Sequence, residues 1–417
     1  MVVAADREQD VRPMRLADAC AAIRSQLSPV LGCETVSLAE ARRRILATDL
    51  VAAVDLPPRS CSAVDGFAVR AADLAATGLT KLRLVGEAAA GHPYIGPVGP
   101  GQAIRILTGA PMPSGADAIV MQESCLVEGH ELVIRDDTRG RRHLRERGED
   151  VRAGLRVLQA GRRLRTQDVA LAAALGCRNL SVRKPLQVSL FSTGDELREP
   201  GDPLDAGQIW DVNRCLLRGL LENLGCEVHD LGILPDNARF LEGALSAAAR
   251  NSDLLITSGG MSVGREDHIR SIIARRGTLD VWPLAIKPGK PVGLGDIDAC
   301  PILALPGNPV AAVVTFIAFG RSVVNIVSGA LDEPPDTLTL PAGFGVVKKK
   351  GVRQFLLANI SKGRDGASIA APLAKQGSAM LSALSASSGF IVLTEDCDRV
   401  RRDDLVDFVP LSAHMGS

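Results

Sequence analysis

The stretch from Leu254 to Val310 most constrains what this chain can fold into. It contains three short apolar runs, Leu254–Thr257, Val281–Ile286 and Ile302–Leu305, and each ends at a turn rich in glycine or proline. Apolar runs of this length bounded by such turns read as buried strands. Any one of these turns, taken alone, is a tight connection after a strand. Three in series at strand C-terminal ends lie where an open α/β sheet places its ligand crevice. The pattern predicts a site that handles a phosphate or another oxyanion.

At 417 residues the chain exceeds what one hydrophobic core organises, and its length suggests about two to four domains. Its 48 basic residues balance 48 acidic ones, so no global field recruits nucleic acid or an acidic membrane, and any anion preference must be local. Aromatics at 3% disfavour a stacking platform for single strands. The nine cysteines form no CxxC pair and no zinc-spaced cluster with the six histidines; most are expected to be reduced, buried small apolar residues. The N-terminus is charged and lacks the apolar core of a signal peptide, and no segment reads as long and apolar enough to span a bilayer. The expectation is a cytoplasmic protein with neither nucleic acid nor membrane as partner.

The chain divides by pattern. Residues 13–50 and 148–182 read as a discontinuous helical linking domain. Arg15 to Leu27 carries Leu16, Ala19, Cys20, Ile23 and Leu27 on one helical face. Ser37 to Leu46 opens with Ser37 and Glu40 in the capping-box spacing, and Thr166 caps a helix closed by Gly176. Residues 51–147 are short strand-like runs punctuated by Gly and Pro, a β domain inserted between the helical halves. Residues 183–330 alternate strand and helix, which predicts a mostly parallel sheet covered by helices. Residues 331–412 are short β runs suited to a small barrel or sandwich.

Chemistry gathers at the turns. Ser258-Gly259-Gly260-Met261-Ser262-Val263-Gly264 follows a strand and precedes a helix. Its glycines permit positive φ and close backbone approach, so successive N–H groups can form an anion nest. It is neither a Walker A loop nor GxGxxG. Asp267, in the next helix, is either a first-turn acid suited to the macrodipole or a ligand for a metal or substrate. Lys287 and Lys290 stand three apart on a loop stiffened by Pro288 and Pro291, which holds both ammonium groups for a tetrahedral oxyanion. Pro306, Asn308 and Pro309 end a buried strand and open an apolar helix, with Asn308 suited to the N-cap and the first N–H groups left for an anion. Asp195 and Glu196 pair carboxylates at a strand end, as Mg²⁺ binding or general-base work requires. Asp211, Asn213 and Asp236 are ligands or caps, with capping favoured for Asn213. In the β domain Asp65 and Thr108 sit at ordinary turns, and Asp150 stands at the junction back to the helical layer. No GxSxG elbow is present, which disfavours covalent hydrolase chemistry.

In this order, S-A-V-D-G-F-A-V, I-R-I-L-T-G-A-P-M-P, A-D-A-I-V-M-Q-E, G-E-D-V, S-T-G-D-E-L, S-G-G-M-S-V-G, A-I-K-P-G-K-P and L-P-G-N-P-V resemble the molybdopterin molybdenumtransferases, the bacterial MoeA family that shares its fold with the gephyrin E domain. The resemblance spans residues 13 to 410. It implies a multidomain chain with a mixed or parallel α/β domain, a helical layer, an inserted β domain and a C-terminal small β-barrel. It also implies a homodimer whose clefts lie between the α/β domain of one subunit and the β domain of the other. The implied reaction inserts molybdate into adenylylated molybdopterin and releases AMP, assisted by Mg²⁺ or another divalent cation. Molybdopterin adenylyltransferase and molybdoenzyme-maturation proteins are implied as possible partners.

Carried over by residue, the resemblance gives Lys287 and Lys290 the molybdate or phosphate, with Pro291 shaping the loop. Ser258, Gly259, Gly260, Ser262 and Gly264 meet the pterin phosphate or adenylate, with Pro306, Asn308 and Pro309 beside them. Glu196, Asp236 and Asp267 position the cation, Asp65, Thr108 and Asp150 belong to the cleft, and Ser378 helps bind molybdate. The family's arginine three residues before a C-terminal aromatic is Val352 here. Arg353 is the adjacent cation, but on a strand its side chain would face the other way. A non-catalytic pterin-binding or scaffold paralogue of the same fold is the alternative.

Overall fold

The computed structural model describes residues 13–30, 32–76, 78–135, 143–235, 237–259, 268–289, 291–363 and 366–415. Helix α1 (Leu16–Gln26) buries Leu16, Ala19 and Ile23, as its period predicts. Strand β1 (Cys33–Ser37) follows. The expected helix from Ser37 to Leu46 does not form. Ser37 ends β1, and its N–H and hydroxyl both donate to Glu40 at 3.2 and 2.7 Å. The capping chemistry is therefore present but serves a turn. Arg43 at φ 70° then leaves helical space, and its N–H donates to the carbonyl of Leu164.

The inserted β unit is a six-stranded sheet of β2 (Gly66–Val69), β3 (Thr80–Ala88), β4 (Gln102–Ile106), β5 (Ala118–Met121), β6 (Cys125–Glu128) and β7 (Glu131–Ile134). Their order is β5-β2-β4-β3-β7-β6, antiparallel except for β3 beside β4. Residues alternate between two separate clusters, Phe67 and Val69 in one and Ala68 in the other. This is the period-2 signature of a sheet covered on both faces.

The chain returns through α2 (Thr166–Ala174) and β8 (Asn179–Arg183), which pairs antiparallel with β1. Arg165, not Thr166, occupies the N-cap of α2, and its N–H donates to Asp168 at 2.9 Å. The two halves of the linking unit share a core of Val36, Ala41, Leu46, Leu164, Ala172 and Val182. Helix α1 lies elsewhere, in the core of the α/β unit, so the layer expected to be helical is held mainly by the β1–β8 pair. Burial raises the Asp168 carboxyl's pKa, but hydrogen bonds from Arg162 and Arg165 outweigh it and hold the group below the ordinary carboxylate range. A carboxyl depressed on folding adds stability above about pH 4 and loses it as pH falls through the folded value. Asp168→Asn is expected to cost about 1–2 kcal/mol at neutral pH and to flatten the acid limb of the stability curve, measured by urea unfolding between pH 3 and 7.

The α/β unit contains β9 (Gln187–Thr193), α3 (Asn213–Asn223), β10 (Glu227–Leu234), α4 (Ala238–Asn251), β11 (Leu254–Ser258), α5 (His268–Arg276), β12 (Gly277–Trp282), β13 (Ile286–Lys287), β14 (Val292–Ile297) and β15 (Cys300–Leu305). Six of these strands form a sheet in the order β10-β9-β11-β15-β14-β12. The first four are parallel, while β14 and β12 add as an antiparallel hairpin. Leu254 and Ile256 enter one core and Leu255 the other, as a central strand buried on both faces must arrange them. The run Val281–Ile286 is not one strand. β12 ends at Trp282, and β13 leaves the sheet to pair with the C-terminal unit.

After β15 the chain is helical from Pro309 to Ser328, through α6 (Pro309–Thr315), a π turn at Phe316–Gly320, and α7 (Arg321–Ser328). Contrary to the sequence expectation, these 20 residues are long and apolar enough to cross a bilayer, but 78% of the span is buried inside the protein. It is the central core helix, with Trp282 edge-on to Phe319 at 5.8 Å. The C-terminal unit comprises β16 (Leu338–Pro341), β17 (Arg353–Lys362), β18 (Ser368–Pro372), β19 (Gly389–Leu393) and β20 (Leu405–Pro410). β18 pairs with β17, and a bridge from Ala342 to Ala370 brings the end of β16 against β18, curling the sheet into a small barrel. Phe355, Leu357 and Phe390 of the barrel share one core with Val310 and Phe316. All nine cysteines are free; Cys226 and Cys300 are buried and the others half-buried or exposed, fewer buried than expected.

Candidate active site

The C-terminal edge of the parallel strands carries three turns that touch. Beyond β11, Gly259 at φ 87° donates its N–H to the carbonyl of Leu305 at 3.1 Å. A Cβ on Gly307 would stand 3.7 Å from the Cα of Gly259, and one on Gly259 would stand 3.3 Å from the carbonyl of Thr193. Asn213 binds two of these turns together. Its side-chain amide donates to the Ser258 hydroxyl at 2.7 Å and to the Gly307 carbonyl at 2.6 Å. Ser258 in turn donates to the carbonyl of Pro306 at 3.2 Å.

Asn213 therefore does not cap α3, as had been expected of it. Asp211 does so, accepting from the N–H of Asn213 at 3.0 Å. The Asn213 Oδ1 is buried and has no partner among the described residues.

A groove of about 720 Å³ runs from this edge to the barrel. Lys287, Pro288, Gly289, Pro306, Asn308, Val352, Gln354 and Ser378 all line it. Lys287 reaches the groove because β13 pairs in parallel with β17, setting Lys287 beside Gln354. The N–H groups expected to be free at the start of α6 are taken. Val310 and Ala311 donate to the carbonyl of Ser378 at 2.9 and 3.3 Å, and Pro309 has no N–H to offer. The helix end thus fixes Ser378 at the groove and leaves its hydroxyl to face other partners. Arg353 does not line the groove; it pairs with the buried Glu395 at 3.0 Å. Val352 supplies only apolar wall.

The β unit holds a second group. The backbone N–H and hydroxyl of Thr108 both donate to Asp65 at 2.7 Å, and they hold the Asp65 carboxyl below its ordinary range. Asp150 is exposed on a loop whose N–H donates to the carbonyl of Leu56. That loop is braced by Asp55, which accepts from the N–H of Ala153 at 2.8 Å and from Arg147. Asp65, Thr108 and Asp150 do not line the groove beside Lys287, so within one chain the Asp65–Thr108 pair stands apart from it, and Asp150 sits on its own loop.

Gly260, Ser262, Gly264, Asp267, Asp236 and Lys290 lie outside the described residues. Pro291 leads directly into β14. The carboxylates of Asp195 and Glu196 hydrogen-bond to no described residue, and a Cβ on Gly194 would collide with the Glu196 carboxylate at 2.5 Å. Asp55 and Gln354 escaped the sequence reading, and Asn213 entered it as a ligand or a cap rather than as the tie between two turns. Asn213 had a signal, an amide opening a helix just beyond a strand end; Asp55 had none.

Comparison with known proteins bears on what these groups do. Residues 14–176 match the model of the MoeA N-terminal region (domain I and II), residues 189–325 that of a probable molybdopterin binding domain, and residues 339–411 that of the MoeA C-terminal region (domain IV). The molybdopterin molybdenumtransferase of Haemophilus influenzae is 36% identical over 385 residues, 92% of this chain and 95% of that protein. Molybdopterin molybdenumtransferase 2 of Mycobacterium tuberculosis is 36% identical over 77% of this chain and 82% of its own length. The crystal structure of the molybdopterin biosynthesis moeA protein from Pyrococcus horikoshii superposes with a TM-score of 0.81 at 28% identity, covering 96% of this chain and all of that one.

Proposed function

The chain belongs to the molybdopterin molybdenumtransferase (MoeA) family, and on that premise we propose that it inserts molybdate into adenylylated molybdopterin and releases AMP. The observation that carries the reading is the groove lined by Lys287, Ser378 and the Gly307 turn, against which the Ser258–Gly259 turn packs. The Lys287 ammonium anchors a tetrahedral oxyanion, and the Ser378 hydroxyl, held by its own carbonyl on α6, donates to it. The Ser258–Gly259 turn meets the phosphate end of the pterin substrate, where close backbone approach is possible. Pre-set donors of this kind stabilise charge as it develops, without reorganising.

A divalent cation takes carboxylate oxygens. Glu196, whose carboxylate hydrogen-bonds to no described residue, fits that need, and Asp236 and Asp267 would hold the cation with it. When bound, the cation neutralises phosphate charge. The working unit is a homodimer in the cytoplasm, in which Asp65, Thr108 and Asp150 of one subunit face the groove of the other. Asp65, kept ionised by Thr108, acts there as an acceptor. Molybdopterin adenylyltransferase supplies the adenylylated substrate, and molybdoenzyme-maturation proteins receive the product.

A second reading, a pterin-binding scaffold without turnover, draws support from Val352 at the groove wall and from Arg353 being committed to Glu395. The two readings separate in one assay. The purified protein is expected to release AMP from adenylylated molybdopterin only when molybdate is added. AMP release that is absent, or indifferent to molybdate, rejects the transferase; tight pterin binding without release supports the scaffold.

A further inference from the structure

We propose that Gln354 is an oxyanion-binding residue of the groove, supplying from β17 the hydrogen bonds that Arg353 cannot reach to make. The inference rests on the oxyanion reading of the groove. β17 begins at Arg353, and successive side chains on a strand point to opposite faces. Arg353 pairs with Ile286 of β13, and Gln354 pairs with Lys287. The in-register pairing sets Gln354 beside Lys287 at the wall of the groove. Both residues line the groove, and Arg353 does not.

The guanidinium of Arg353 donates to Glu395 through Nε and Nη2 at 3.1 and 3.0 Å. Glu395 is only 6% exposed, and releasing the arginine to the groove would strand that carboxylate. Gln354 carries no such commitment: its side chain makes no hydrogen bond to any described residue. A carboxamide offers two N–H donors and one acceptor. It can bind one oxygen of a tetrahedral dianion while Lys287 neutralises charge and Ser378 donates to another. Val352, which also lines the groove, has no polar side-chain atom to compete. The groove therefore recognises the oxyanion with one described cation and neutral donors, so geometry rather than charge density sets what it holds.

The test is calorimetric titration of molybdate into the full chain, without pterin. Gln354→Glu places a negative charge beside the dianion, and its affinity is expected to fall about tenfold or more. Gln354→Met keeps the side chain's length, removes its donors and is expected to weaken binding by about fivefold. It guards against a folding defect in the charged variant. The double variant Arg353→Met with Glu395→Gln removes the committed pair and is expected to leave affinity within about twofold, because neither side chain lines the groove. If Lys287→Ala abolishes binding while both Gln354 variants bind like the wild type, Gln354 is not a ligand, although the groove reading stands. Loss of affinity in the double variant alone transfers the role to Arg353. If Lys287→Ala binds molybdate normally, or the unaltered chain binds none, both the groove reading and the Gln354 assignment are rejected.

Discussion

Chains carrying Lys287→Ala and chains carrying Asp65→Asn are each expected to lose molybdate-dependent AMP release by about 100-fold or more, as removal of a preorganised electrostatic group typically does. An equal mixture co-expressed in one cell is expected to recover about a quarter of wild-type turnover, because a two-fold dimer carries two equivalent sites. Lys287 and Asp65 belong to different groups of residues in the chain. Lys287 stands on the groove between the α/β edge and the barrel, and Asp65 on the β unit, locked to Thr108. If each active site joins one subunit's groove to its partner's Asp65, a mixed dimer holds one site with both defects and one with neither. Random pairing makes half the dimers mixed, and half of their sites intact. Activity that stays at the single-variant level in verified mixed dimers shows that the two residues do not meet across subunits. Recovery without dimers, judged by light scattering, would be equally damaging.

The largest expected loss of stability comes from Arg214→Met. Arg214, in the first turn of α3, donates to Asp211 at 2.6 Å, to Asp230 at 2.6 Å and to Glu199 at 2.5 Å. Its side chain is 8% exposed and that of Asp211 2%. Burial alone would lower the guanidinium's pKa, but the three carboxylates outweigh it and push it up. Removing the arginine leaves the buried Asp211 carboxylate uncompensated, at a cost of about 3–5 kcal/mol, while Glu199 and Asp230, at 47% and 28% exposed, stay partly solvated and add little. The urea midpoint should fall with an unchanged m-value if the native state stays compact. Activity should fall too, because the same first turn sets Asn213, which holds the Ser258 and Gly307 turns together. A variant that unfolds at the wild-type midpoint means that water already screens the three carboxylates.

Much of the architecture was legible because it rests on local patterns. Leu254-Leu255-Ile256 announces a strand buried on both faces, and the Gly-rich and Pro-rich ends of β11 and β15 mark the edge where ligands gather. The missed helix at Ser37–Leu46 shows the limit. Ser37 and Glu40 make the hydrogen bonds of a capping box, but pairing of β1 with β8, whose residues lie more than a hundred positions later, makes Ser37 a strand end. Local chemistry suits both outcomes, and the distant partner decides between them.

The candidate site divides along the same line. The residue types at the strand ends were readable in advance: the glycines after β11, the lysine before Pro288, and the prolines around Asn308. Those follow from turn chemistry, which acts over a few positions. That β13 joins the barrel sheet, that Gln354 rather than Arg353 pairs with Lys287, and that the carbonyl of Ser378 closes the start of α6 came from the fold alone. Each of these is a contact between segments far apart in the chain. The backbone groups and charges involved must find partners when buried, and sequence spacing does not say which of several suitable partners the fold brings near.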